Sequence, residues 1–120
     1  DLHFINSTES WLYFTLGTKT GTFNNQKETI HDFYESGLTP QSEKIFGGHP
    51  TQKPLALMDF LISILSNKGE TVLDPFMGSG STGVSSERMG RKFIGIEIDK
   101  DYFEVAKQRL KESKQCKLEL

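Results

Sequence analysis

Apolar residues fall into ordered patterns along residues 54–112 and into looser ones before them. Leu55, Leu57, Met58, Leu61, Ile62 and Leu65 recur at three-to-four spacing, which predicts an amphipathic helix over 54–66. Pro54 suits its first turn, and Asn67-Lys68-Gly69 stops it. Thr71-Val72-Leu73 is a short β-favouring run closed by Asp74-Pro75. A glycine-rich stretch, Phe76–Ser81, leads into a helix expected over Thr82–Met89. Phe93-Ile94-Gly95-Ile96-Glu97-Ile98 predicts a second, buried strand. Asp99 is an N-cap candidate for a helix carrying Tyr102, Phe103, Val105, Ala106 and Leu110. The order is helix–strand–loop–helix–strand–helix. Right-handed crossovers then set the strands, at about 71–75 and 92–98, side by side and parallel. The expected fold class is α/β, part of a doubly wound, Rossmann-like sheet.

The first third is less regular. Residues 11–16 (Trp-Leu-Tyr-Phe-Thr-Leu) are aromatic and β-favouring, and Gly17 and Gly21 follow, so a strand and turn are expected. Residues 24–36 read as a short helix ending at Gly37, and 38–48 as a surface loop. This divides the chain into an N-terminal strand and loop region (1–48), an α/β half-domain (49–112) and a tail (113–120).

Composition narrows the classes. The 120 residues carry 14 Lys+Arg against 16 Asp+Glu, a net charge of −2. Residues 1–60 hold 4 basic and 7 acidic side chains, and residues 61–120 hold 10 and 9. Neither half is a basic stripe able to neutralise a run of phosphates by itself. A single cysteine, Cys116, excludes an internal disulfide and a cysteine-based zinc cluster and suits a reducing cytoplasm. The apolar patch 55–65 is interrupted by Asp59 and is too short to span a bilayer. Residues 1–16 show no signal-peptide pattern. The first residue is Asp rather than Met, so a trimmed, processed or partial chain is expected.

The chemistry concentrates in residues 74–97. Gly78-Ser79-Gly80-Ser81-Thr82-Gly83 matches G-x-G-x-x-G between a predicted strand and a predicted helix. Glu97 follows the first glycine by nineteen positions, at the end of the next strand. Glycines let a backbone approach a ligand closely, and an acidic side chain so placed can accept hydrogen bonds from both ribose hydroxyls. The plain alternative is a tight turn. A P-loop would need Gly-Lys-Ser/Thr, whereas Gly83 is followed by Val84. A dinucleotide would bring an anionic pyrophosphate to the mouth of a loop that holds Asp74. S-adenosylmethionine brings a ribose for Glu97 together with a cationic ammonium and sulfonium. Electrostatics favours the cation.

Three motifs carry a family resemblance. Asp74-Pro75-Phe76-Met77-Gly78-Ser79-Gly80-Ser81-Thr82 resembles the cofactor loop of amino-methylating DNA methyltransferases. It is similar to the form in the permuted (beta) group of adenine-N6 and cytosine-N4 enzymes. His49-Pro50-Thr51-Gln52-Lys53-Pro54 resembles the segment that precedes that loop in the group, and Gly95-Ile96-Glu97-Ile98-Asp99 with Tyr102 and Arg109 resembles the ending. Asn6–Asn25, with Glu9, is similar to a strand region of adenine-N6 members, although Thr8 stands where many of them have His. The resemblance implies the S-adenosylmethionine-dependent methyltransferase fold. It also implies that Phe76, Gly78, Ser79 and Gly80 line the methionine and sulfonium end. Asp74 would lie near the ammonium, Thr51 and Lys53 near the carboxylate. Lys53 as a solvated lysine and Phe76 as core are the plain alternatives; His3 and His31 read as surface and His49 as a loop residue.

The family's acceptor motif, Asp/Asn/Ser-Pro-Pro-aromatic, takes the flipped base. None of the four prolines here follows another, so no catalytic residue is assigned. The expectation is therefore a C-terminal, cofactor-holding fragment of a DNA methyltransferase within restriction-modification, adenine-N6 by the resemblance of residues 6–25, with cytosine-N4 as the close rival. It would meet DNA through the full-length protein and would be inactive alone. The alternatives are a non-catalytic cofactor-binding remnant and an NAD-binding oxidoreductase fragment. Unpaired sheet edges would also allow self-association.

Overall fold

A computed structural model describes residues 8–17, 21–25, 28–44, 46 and 51–116. A single 3-10 turn (Gln41–Glu43) is followed by α1 (Leu55–Leu65), β1 (Thr71–Asp74), α2 (Ser81–Arg88), β2 (Lys92–Gly95) and α3 (Lys100–Cys116). The two strands pair in parallel, Thr71 opposite Lys92 and Asp74 opposite Gly95. This is the alternating α/β order expected from the apolar pattern. It forms part of a doubly wound sheet, with one crossover helix between two parallel strands.

Local chemistry accounts for the element ends. Pro54 is the N-cap of α1 rather than its first residue, and the Leu55 N–H donates to the Glu43 carboxylate at 3.0 Å. An acidic group there also complements the positive end of the helix. Asp99 caps α3 as expected: its Oδ1 accepts from the backbone N–H of Asp101 (2.9 Å) and Tyr102 (3.1 Å). The last turn of α3 extends past residue 112, where a tail was expected, to Cys116.

The core is small. Met58 and Ile62 of α1, Val84 of α2, Ala106 of α3 and Met77 of the connecting loop are its buried apolar residues. Helix α2 touches both strands and both other helices, and its fully buried Ser85 and Ser86 allow that close approach. Gly83 does the same toward the sheet. A Cβ there would lie 2.5 Å from Phe93 Cε1 and 3.0 Å from Leu110 Cδ2. The third glycine of the G-x-G-x-x-G run is therefore a packing position.

Several expectations change. The second strand ends at Gly95, not at Ile98, because β1 ends at Asp74 and the ladder partners run out there. Nor is it buried. Leu73, Ile94, Ile96 and Ile98 are all more than half exposed, since α2 packs on one face of the two-stranded sheet and the described residues leave these side chains uncovered. Phe103, expected on the apolar stripe of α3, is also exposed, with the Lys107 ammonium 5.6 Å from its ring centre.

The described residues of 11–16 form no strand, and those of 24–36 form no helix. A strand needs a ladder partner, and none of the described residues supplies one. Asn24 and Tyr34 instead lie against α1. The Asn24 N–H donates to the Ile64 carbonyl at 2.7 Å, and its side-chain amide donates to the Ser66 carbonyl at 2.9 Å. Tyr34 stacks on Phe60 with ring centres 4.9 Å apart. Of the other residues singled out in the sequence, His3, His49 and Pro50 lie outside the described residues.

Candidate functional site

The glycine-rich loop is held at the carboxyl edge of the sheet by its own backbone. Past the last ladder pair, the Ile96 N–H donates to the Asp74 carbonyl (2.9 Å), and the Met77 N–H donates to the Ile96 carbonyl (3.0 Å). Met77 is buried and anchors the loop. The Gly80 N–H then returns to the Met77 carbonyl at 2.8 Å, closing a turn in which Gly78 has φ 52° and Gly80 φ 80°. Gly80 is the N-cap of α2 and brings no side chain to its first turn.

Two carboxylates frame this turn. Asp74 Oδ1 accepts from the Phe76 N–H at 3.0 Å. Glu97 bridges two segments: Oε2 accepts from the Gly78 N–H and Oε1 from the Asp99 N–H, each at 2.8 Å. Glu97 therefore already fastens the loop to the end of β2. Each carboxylate oxygen retains a further lone pair for a ligand hydroxyl. Phe76 stands out from the loop, 87% exposed, so the plain reading of it as core does not hold.

Beneath the turn lies a buried polar cluster. Ser79 is 3% exposed; its hydroxyl donates to Gln52 Oε1 at 3.3 Å and accepts from Arg109 Nη1 at 3.0 Å. Arg109 Nη1 also donates to the Ser79 carbonyl (2.7 Å) and to Ser81 Oγ (3.3 Å). Gln52 Nε2 donates to the Glu43 carbonyl at 2.7 Å. Burial lowers the pKa of the Arg109 guanidinium, and the charge of Glu43 opposes that shift; an arginine remains protonated nonetheless.

The structure thus brings Asp74, Phe76, Gly78, Ser79, Gly80 and Glu97 together around one turn. Gln52 joins the preceding segment to it. Lys53 gives its ammonium to Glu9, at 2.5 and 2.6 Å from the two carboxylate oxygens, and Thr51 is exposed. Gln52 and Arg109 were not singled out for a role in the site. One signal for Arg109 was present in the chain: it falls on the stripe Tyr102, Val105, Ala106, Arg109, Leu110, a charged residue where helical spacing calls for an apolar one. No grouping of three or more His, Cys, Asp or Glu among the described residues could hold a metal.

A profile described as DNA methylase matches residues 4–108. The chain belongs to the DNA methylase family. Its α/β arrangement matches the solved M1.HpyAVI-SAM complex with a TM-score of 0.59 and 46% identity, over 74% of this chain and 43% of that one. Among curated relatives, the type II methyltransferase M2.LlaDCHI of Lactococcus lactis subsp. cremoris is 47% identical over 88 residues, 73% of this chain. The DNA adenine methyltransferase YhdJ of Escherichia coli (strain K12) is 51% identical over 65 residues, 54% of this chain. These matches span 32% and 22% of the two relatives, so this DNA methylase chain covers a third or less of their length.

Proposed function

We propose that the chain is the cofactor-holding part of a DNA methyltransferase and binds S-adenosylmethionine at residues 74–83, with adenine N6 as the acceptor in the whole protein. The observation that carries this reading is the pair of carboxylates at one turn: Asp74 at its mouth and Glu97 on the Gly78 N–H. Both suit a ligand with a cationic head and a ribose. The cation described beneath the turn, Arg109, is buried and directed at the Ser79 carbonyl, so it offers a pyrophosphate nothing. The residues fit the cofactor, which when bound supplies a methyl group on a positively charged sulfur.

The roles of the chain's own groups follow. Glu97 orients the ribose while keeping the loop tied to β2. Asp74 offsets the charge of the ammonium. Gly78 keeps the outer side of the turn free of a side chain, and Gly80 lets the turn approach Ala106 of α3 closely. Thr51 and Lys53 serve the cofactor carboxylate, Lys53 after exchanging Glu9 for it. Phe76 and Ser79 complete the methionine end, Ser79 from below. Adenine is favoured over cytosine-N4 by the likeness to YhdJ, named a DNA adenine methyltransferase. The type II name of M2.LlaDCHI supports a place in restriction-modification, with DNA as partner and the cytoplasm as compartment. Since the sequence contains no Pro-Pro pair, the 120-residue chain alone is expected to transfer no radiolabelled methyl group to DNA.

Calorimetry with S-adenosylmethionine and with NAD tests the site. S-adenosylmethionine should bind and NAD should not; tighter binding of NAD would overturn the reading. Glu97→Gln should weaken S-adenosylmethionine by about 1–2 kcal/mol, because the ribose loses a charged acceptor and the amide NH2 would face one of the backbone N–H groups that Glu97 now accepts from. An unchanged affinity in that variant would mean that the ribose lies elsewhere.

A further inference from the structure

Arg109 is 4% exposed, and among the described residues no carboxylate forms an ion pair with it. Burying a charge with no carboxylate in contact is costly, the charge of Glu43 offsetting only part of it, and a neutral side chain of similar volume would fill the same space. The charge therefore calls for a reason beyond filling the core, and its hydrogen bonds supply one. All three bonds from Nη1 go to the turn: the Ser79 carbonyl, the Ser79 hydroxyl and the Ser81 hydroxyl.

The Ser79 carbonyl and the Gly80 N–H belong to one trans peptide and point in opposite directions. Arg109 takes the carbonyl, and the Met77 carbonyl takes the N–H. A peptide that joins Ser79 to a glycine at φ 80° has other conformations within easy reach. A flip would aim the carbonyl at the ligand side of the loop and leave a buried guanidinium short of an acceptor. Gln52 reinforces the same arrangement from the neighbouring segment, through the Ser79 hydroxyl.

We propose that Arg109 is a positioning residue for the cofactor loop: it locks the Ser79–Gly80 peptide in one orientation and so preforms the surface that meets the methionine end of the ligand. This rests on the reading of residues 74–83 as the S-adenosylmethionine site. The ribose end, held by Glu97, does not depend on that peptide. Arg109 therefore acts selectively on ligands that carry the methionine part.

Arg109→Lys and Arg109→Met in the full chain test this, with three readouts. Amide hydrogen exchange of the ligand-free protein should show Gly80 exchanging about tenfold faster in both variants, and calorimetry should show S-adenosylmethionine about tenfold weaker, as expected for a lost charged hydrogen bond. Adenosine, which lacks the methionine part, should stay within about twofold of the parent, while melting curves report overall stability. Unchanged Gly80 exchange would overturn the proposal. So would faster exchange with unaltered S-adenosylmethionine affinity, or parallel loss of both ligands in step with stability. If neither variant folds, the guanidinium serves the whole core and the proposal also falls. A parent that binds neither ligand overturns the cofactor reading first, before any variant is compared.

Discussion

Replacing Gly80 by alanine is expected to cost about 3 kcal/mol of folding stability. Two penalties combine. Gly80 has φ 80°, a left-handed conformation that costs a residue with a Cβ roughly 1–2 kcal/mol. The added Cβ would also lie 3.0 Å from Ala106 Cβ and 3.3 Å from Ala106 Cα. Backbone cannot rotate out of the way as a side-chain end can, so α3 must move, and overpacking of this kind costs roughly 1–3 kcal/mol. Gly69 is the control, since it has φ 85° with nothing within 4 Å of the added carbon. Gly69→Ala should lose only the conformational part, about 1 kcal/mol. Urea unfolding of both variants separates the two penalties. Equal losses at the two positions would mean that α3 yields freely and that the loop is not wedged against it.

Arg91→Ala should destabilise the chain by about 2 kcal/mol, through lost hydrogen bonds rather than steric conflict. Arg91 is 8% exposed. Its guanidinium donates to the Ser66 carbonyl (2.6 Å), the Ser66 hydroxyl (3.0 Å) and the Met89 carbonyl (2.8 Å). It thereby closes the C-terminal end of α1 and ties it to the end of α2, where helix carbonyls have no partners within the helix. Truncation leaves the Met89 carbonyl without that donor, at roughly 1–3 kcal/mol, while the Ser66 carbonyl keeps the Asn24 amide at 2.9 Å. Arg91→Lys should recover only part of the loss, because one ammonium cannot span a fork of acceptors. A urea midpoint for Arg91→Ala close to the parent's would show that water replaces the guanidinium and that the helix end is effectively open. Arg91 and Arg109 thus do comparable work at opposite ends of α2, one on helix termini and the other on the cofactor loop.

What the sequence determined by itself is the order of elements from residue 55 onward and the location of the chemistry. Helical spacing in 55–65, an aspartate cap at Asp99 and a glycine run between β-favouring stretches are local signals. Local signals survive because they depend on neighbours a few positions away. Family membership was legible for the same reason: residues 74–82, 49–54 and 95–99 are contiguous motifs. The first third was not legible in this way. An aromatic run such as 11–16 reads as a strand, but a strand exists only where another backbone pairs with it, and none of the described residues does; further along, Asn24 and Tyr34 lie against α1. The end of β2 was likewise set by its partner, since Asp74 opposite Gly95 is the last ladder pair. Only the tertiary structure decided that Glu97 holds the Gly78 N–H, that Ser79 faces inward, and that Arg109 reaches the turn from thirty residues away. These are contacts between groups distant in the chain. Burial makes each of them matter, because a polar group removed from water must find its partner wherever the fold brings one.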